Sequence, residues 1–411
     1  MHDAHVWSAR ILFLLGAIGA AAGCGAARPA APDAPAAASS PAPRSPSMTA
    51  PRDVPLSLFL GRWGIVDVRV GDAPARFVVD TGANRTLVDR TLAAARGWPI
   101  TECRSIPGAM IGELCKVHIP SIELFGRTLP GVETFASDFA RSELGESLEA
   151  DGLLGGDYLS QFVLVIDYPR ARWSLVDPER FTPPAVPAIP VVLKSGGVFV
   201  PVQVAGSAAS FFLDTGNGGR TIVLDVPAQA SLAPAKSRDF LLSGAIRSGA
   251  GGSADATPCR GELRIGDVVV PDAQLFVASA REGTVMGKMQ GILGVGLLRY
   301  FRMTLDYPRA RLYLEQALPF PKAEDDATYG VVARARDGRL EIASVDRSGP
   351  AARAGLRQGD VITSIDGVRV DRNAAVLWPE LTPRSPSATT TLEVARASEV
   401  RTVTLRAVAV P

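Results

Sequence analysis

One stretch of this chain occurs twice, and the repetition limits what the chain can fold into. Phe77-Val78-Val79-Asp80-Thr81-Gly82-Ala83 is echoed by Phe211-Phe212-Leu213-Asp214-Thr215-Gly216-Asn217. Each is an apolar run, the pattern of a buried strand, that stops at a carboxylate. An ionisable group beside a low-dielectric core is costly unless it is paired or used. Thr supplies a hydroxyl, and Gly allows a tight turn with close backbone approach. Two such stretches point to two related halves whose carboxylates meet at a shared interface.

The surroundings of the motif repeat as well. Ile65 to Val70, a Gly71-Asp72 turn and Ala75 to Asp80 match Val200 to Val204, a turn at Gly206 and Ser210 to Asp214. Both read as β-hairpins leading into the carboxylate. Further on, Asp151-Gly152-Leu153-Leu154-Gly155-Gly156-Asp157 matches Gln290-Gly291-Ile292-Leu293-Gly294-Val295-Gly296. Asp167-Tyr168-Pro169-Arg170-Ala171-Arg172 returns unchanged at Asp306-Tyr307-Pro308-Arg309-Ala310-Arg311. The aspartates lie 134 positions apart, and both later landmarks recur at 139. A sustained offset of this kind marks an internal duplication. The six-residue identity reads as a turn between closing strands, and so as architecture, not chemistry.

Composition narrows the chemistry. The 411 residues suffice for two or three domains, and 43 basic against 42 acidic residues leave a net charge of +1. Nothing in that balance, nor any basic run with interleaved aromatics, calls for a nucleic acid. The three histidines are His2, His5 and His118. The first two fall in a segment expected to be removed, and His118 sits in an alternating strand pattern, Lys116-Val117-His118-Ile119. A serine or cysteine triad therefore finds no support, and neither does a histidine metal site. Carboxylates remain as the catalytic groups, with no metal and no cofactor expected.

Each half resembles a lobe of the pepsin–retropepsin superfamily of aspartic proteases. The resemblance rests on Asp-Thr-Gly, the hairpin before it, and the apolar-apolar-Gly triplets Leu153-Leu154-Gly155 and Ile292-Leu293-Gly294. It covers roughly residues 54–320 and implies a mostly β, bilobal protease built from two fused retropepsin-like lobes. Asp80 and Asp214 are then the catalytic pair, acting on a polypeptide through one water. Thr81 and Thr215 would tie the two loops together, with Gly82 and Gly216 presenting N–H groups to the carboxylates. Gly108, Met110, Ile111 and Gly112 stand where the family has a flap. Cys103 and Cys115 flank that segment, and in an exported protein they would form a disulfide at its base; two separate thiols are the alternative. Cys259 has no evident partner. The chain departs from the family pattern at Asn217, in a second loop one residue longer through Gly218-Gly219. It also lacks an Arg after the apolar-apolar-Gly, where Gly156 and Val295 stand, and a flap tyrosine.

The flanks carry other signals. Residues 1–24 read as an export signal too short to span a bilayer, and Ala21-Ala22-Gly23-Cys24 resembles the bacterial lipobox, implying lipidation at Cys24. An ordinary cleavage near the alanines is the alternative. Gly25 favours outer-membrane anchoring on the periplasmic side. Residues 25–53, almost all Ala, Pro and Ser, read as a solvated tether. After a polar linker at Lys322-Ala323-Glu324-Asp325-Asp326, Ser348 to Ile362 with Ile365-Asp366-Gly367 resembles a bacterial PDZ domain, a small α+β module. That resemblance implies capture of an extended peptide, often a carboxy terminus, at Tyr329, Gly330 and Val331. The expected division is 1–24, 25–53, 54–182, 183–320 and 325–411, in a monomer. The expected activity is aspartic endopeptidase; the alternative is an envelope scaffold that keeps the fold and binds peptides without hydrolysis.

Overall fold

The computed structural model describes residues 54–55, 57–59, 63–105, 113–142, 145, 148–217, 221–224, 226, 232–234, 245–247, 253–278, 289–322, 327–336, 339–370 and 387–409. The expected leader and tether with Cys24, the flap residues Gly108, Met110, Ile111 and Gly112, and Gly218-Gly219 lie outside these.

Strands dominate, and the two halves order them alike. In the first, Trp63–Val70 pairs with Ala73–Val79, then come Gly152–Leu154, Leu87–Asp89, Arg127–Ser137, Glu113–Leu124 and Ile100–Ser105. In the second, Gly197–Val204 pairs with Ser207–Leu213, followed by Gly291–Leu293, Ile222–Val223, Val268–Ala278 and Ser253–Ile265. Each sheet also closes on itself, through pairing of Trp63–Val70 with Glu113–Leu124 and of Gly197–Val204 with Ser253–Ile265.

The alternating pattern of the leading hairpins explains their position. Val66, Val68 and Val70 turn inward while Asp67 and Arg69 face solvent, as a half-buried strand requires. The segments that follow are buried on both faces. Phe77, Val79 and Leu154, and likewise Phe211, Leu213 and Leu293, are all 1% exposed or less. Burying one such side chain contributes about 1.5–3 kcal/mol.

A third sheet joins the halves. Val163–Asp167 runs antiparallel to Phe301–Asp306, with Val163 opposite Asp306 and Asp167 opposite Arg302. Arg172–Val176 and Arg311–Gln316 flank this pair. The repeated six-residue segment forms the hairpin turns of this sheet. Asp167 accepts from Arg170 N and Nη1 at 3.1 and 2.9 Å, and Asp306 accepts from Arg309 N and Nη1 at 3.2 and 3.0 Å. One hydrophobic cluster runs through both halves and this sheet.

The carboxy-terminal module has its own core, around Leu340, Ile342, Ile362, Leu392 and Val394. Its sheet runs Val331–Arg336, Arg339–Val345, Val361–Ile365, Thr389–Arg396 and Glu399–Arg406. Pro350 opens the short helix Pro350–Arg353, and Gly355, at φ +76°, ends it. Among the described residues, no helix is long and apolar enough to cross a membrane.

Candidate active site

Asp80 and Asp214 each follow a strand that pairs in parallel with the apolar-apolar-Gly segment of its own half. Val78 and Val79 stand opposite Leu153 and Leu154, and Phe212 and Leu213 opposite Ile292 and Leu293. The ladder continues one step into each aspartate, through Asp80 N to Leu154 O at 3.1 Å and Asp214 N to Leu293 O at 3.0 Å. The backbone that carries each carboxylate is therefore tied to a buried strand, not to a free loop.

The two loops are locked together by their threonines. Thr81 N donates to Thr215 Oγ1 at 3.0 Å and Thr215 N to Thr81 Oγ1 at 3.1 Å. Thr81 Oγ1 donates to Leu213 O and Thr215 Oγ1 to Val79 O, both at 2.9 Å. Both side chains are almost fully buried. All four bonds cross from one half to the other, so the carboxylates are held in register by the polypeptide itself.

The glycines supply the room. A Cβ added at Gly82 would lie 2.5 Å from Asp214 Cγ, and one at Gly216 would lie 2.5 Å from Asp80 Cγ. Each aspartate thus lies against the glycine of the opposite motif, and the two carboxyl groups are coupled to each other. Gly82 N donates to Asp80 Oδ1 at 2.8 Å, and Asn217 N donates to Asp214 Oδ1 at 2.9 Å. At Asn217, where the chain departs from the family pattern, it is the backbone N–H that makes this bond.

Burial pushes both carboxyls up from their ordinary value. For Asp80 the donors Gly82, Ala83 and Gly216, with Asp214, partly offset the rise. For Asp214 burial is reinforced by the negative charge of Asp80, and the rise is large. The two carboxyls are coupled, so the pair titrates as a unit.

Three features around the pair were not legible as site features. Asp157 Oδ1 accepts from Thr86 N, Thr86 Oγ1 and Tyr158 N at 2.8, 2.7 and 2.9 Å, anchoring the loop that follows Asp80. Gly296 stands at the matching place in the second half. Tyr168 and Tyr307, from the repeated turn segment, are buried where the charges of Asp214 and Asp80 add to burial in raising their phenols. The exact repetition of that segment was the available signal, and a turn accounted for it too readily. The third is Trp63, whose Nε1 donates to Gly216 O at 2.9 Å.

Cys103 and Cys115 form a disulfide between Ile100–Ser105 and Glu113–Leu124, with Arg90 Nη2 3.3 Å from Cys115 Sγ. Cys259 is a buried free thiol. In the carboxy-terminal module, Tyr329 is buried and its phenol is pushed up to about 12, chiefly by burial. Gly330 has φ +70°, and a Cβ there would lie 2.9 Å from Gly349 Cα. Val331 starts an edge strand of its sheet.

Comparison with known proteins agrees with this architecture. The profile of the aspartyl protease family matches residues 66–158, and that of the PDZ domain matches residues 327–406. The chain thus combines an aspartyl protease-like domain with a PDZ domain in a mostly β fold. A probable periplasmic serine endoprotease, DegP-like, of Halomonas elongata is 46% identical over 65 residues, 16% of this chain and 13% of that protein's length. A PDZ domain of a carboxy-terminal protease from Vibrio cholerae, solved with a peptide, is 22% identical. That match covers 20% of this chain and 95% of the other, with a TM-score of 0.19.

Proposed function

We propose that this chain is an aspartic endopeptidase of the bacterial envelope in which Asp80 and Asp214 share one proton and activate one water. The observation that carries the reading is the approach of each carboxyl to the glycine of the opposite motif, fixed by the crossed bonds of Thr81 and Thr215. Two carboxylates at such range do not both ionise cheaply, so the pair titrates as a unit.

In this mechanism Asp80 is the ionised member. It takes a proton from the water as the water oxygen bonds to the peptide carbonyl carbon. Asp214 gives its proton to the carbonyl oxygen, yielding a neutral diol. The diol then returns one hydroxyl proton to Asp214, the C–N bond breaks, and the proton on Asp80 passes to the leaving nitrogen. The pair ends as it began.

Residues 54–182 and 183–320 are the two lobes of this enzyme and 325–411 its PDZ module, acting as a monomer. Gly108, Met110, Ile111 and Gly112 form its flap. Tyr329, Gly330 and Val331 receive an extended peptide, for which the strand Val331–Arg336 offers an edge. Cys24 carries a lipid that anchors the enzyme on the periplasmic side, preferentially at the outer membrane; the periplasmic description of the Halomonas elongata relative is in keeping with that placement.

The test is hydrolysis of an unfolded protein by the purified full-length chain across acidic to neutral pH, in water enriched in oxygen-18. The reading expects a bell-shaped rate profile and label in the newly formed carboxyl groups. Intact substrate at every pH would leave the alternative, a peptide-binding scaffold.

A further inference from the structure

The Trp63 indole reaches across the lobe boundary to the Gly216 carbonyl. The peptide group that contains this carbonyl also contains the Asn217 N–H, which donates to Asp214 Oδ1 at 2.9 Å. One amide is therefore held at both ends, by an indole on its oxygen and a carboxylate on its hydrogen. Hydrogen bonds in series polarise one another, so a donor on the carbonyl strengthens the N–H as a donor. Trp63 is buried in an apolar cluster with Ile65, Val78, Leu87, Leu114 and Phe139, which fixes the direction of its N–H.

The contact is one-sided. Trp63 lies two residues before Ile65, which pairs with Val78; Gly197 lies two residues before Phe199, which pairs with Phe212. Gly197 thus takes the place of Trp63 in the second half, and a glycine has no side chain to return the contact. A Cβ there would lie 2.6 Å from Phe212 Cε2 and 3.2 Å from Asn84 Oδ1, so the Phe212 ring and the first loop fill the space instead.

We propose that Trp63 is a positioning residue for Asp214: it orients and polarises the Gly216–Asn217 amide and so gives Asp214 a support from the opposite half that a glycine at position 197 cannot give Asp80. This rests on the reading of the pair as hydrolytic and adds a residue that the duplicated motif does not contain. Among the described residues, Asp214 is coupled by charge to Asp80 and to the Tyr168 phenol, and Asp80 to the Tyr307 phenol. Both phenols are raised and stay neutral through the acidic range, so the carboxyl titration can be read without them.

The experiment follows the carboxyl carbons of the pair by NMR in the full-length chain, assigned with Asp80→Asn and Asp214→Asn. Two variants are compared with wild type: Trp63→Phe, and Trp63 replaced by benzothienylalanine, which keeps the ring shape and loses only the N–H. A weaker donor to a carboxylate favours its protonated form, so the upper apparent pKa should rise by about 0.5 unit in both. The alkaline limb of the rate profile should move to higher pH with it, with KM little changed. Unchanged carboxyl titration in the folded benzothienylalanine variant would overturn the proposal, even if Trp63→Phe were unstable. Absence of proteolysis in wild type would remove the hydrolytic reading while the titration still decided the role of Trp63.

Discussion

Thr81 and Thr215 each donate a backbone N–H to the other's hydroxyl, and each passes its own hydroxyl proton to a strand carbonyl of the opposite half. The arrangement joins the two halves at the point where the carboxylates are placed. Removing one hydroxyl leaves a buried N–H and a buried carbonyl without partners. Thr81→Ala or Thr215→Ala should each cost about 1–3 kcal/mol in urea unfolding of the full chain. Because the bonds are mutual, the double variant should lose measurably less than the two single losses combined.

Gly216 borders the Asp80 carboxyl so closely that Gly216→Ala must displace one or the other. The expected result is a fall in kcat/KM of about 10²-fold, as for a misplacement near 1 Å. Kinetics on an unfolded substrate, beside a thermal melt, check this. A variant with wild-type kcat/KM would mean that the carboxyl is not held where its neighbours place it.

Stability should also depend on pH through the pair. Both carboxyls are raised above the ordinary 3.8 in the folded chain, so the folded state binds more protons than the unfolded one above that value. Stability then falls as pH rises from about 3.8 through the raised folded values, the reverse of a salt-bridged carboxylate. Asp214→Asn removes the larger penalty. It should melt at higher temperature than wild type at neutral pH, with the gap closing below the ordinary carboxylate range.

Much of this arrangement was legible before any coordinates. Hairpin, aspartate, threonine and glycine lie within a few residues, and their spacing alone describes a strand entering a turn. The repeat then implies the partner. What could not be read depends on contacts between distant segments. Trp63 is 153 positions from the carbonyl it meets. Asp157 is 71 positions from Thr86, and its second-half counterpart is a glycine, so no repeat drew attention to it. Tyr168 and Tyr307 are repeated, but a turn between closing strands sufficed to explain their segment, which hid where the rings go.

Gly330 combines φ +70° with a backbone neighbour 2.9 Å from the place of a Cβ. Gly330→Ala should therefore separate the loop at Tyr329 from the start of Pro350–Arg353 and weaken capture of an extended peptide by about tenfold or more. Fluorescence anisotropy with a labelled peptide bearing a free carboxy terminus measures this. Equal affinity in the variant would move the binding edge away from Val331.

The most direct measurement compares peptide-bond hydrolysis by wild type, Asp80→Asn and Asp214→Asn at the optimum pH. An acid–base pair acting on one water predicts that each single replacement lowers the rate by about 10²–10⁴-fold. Wild-type turnover in either variant would contradict the pairing of Asp80 with Asp214.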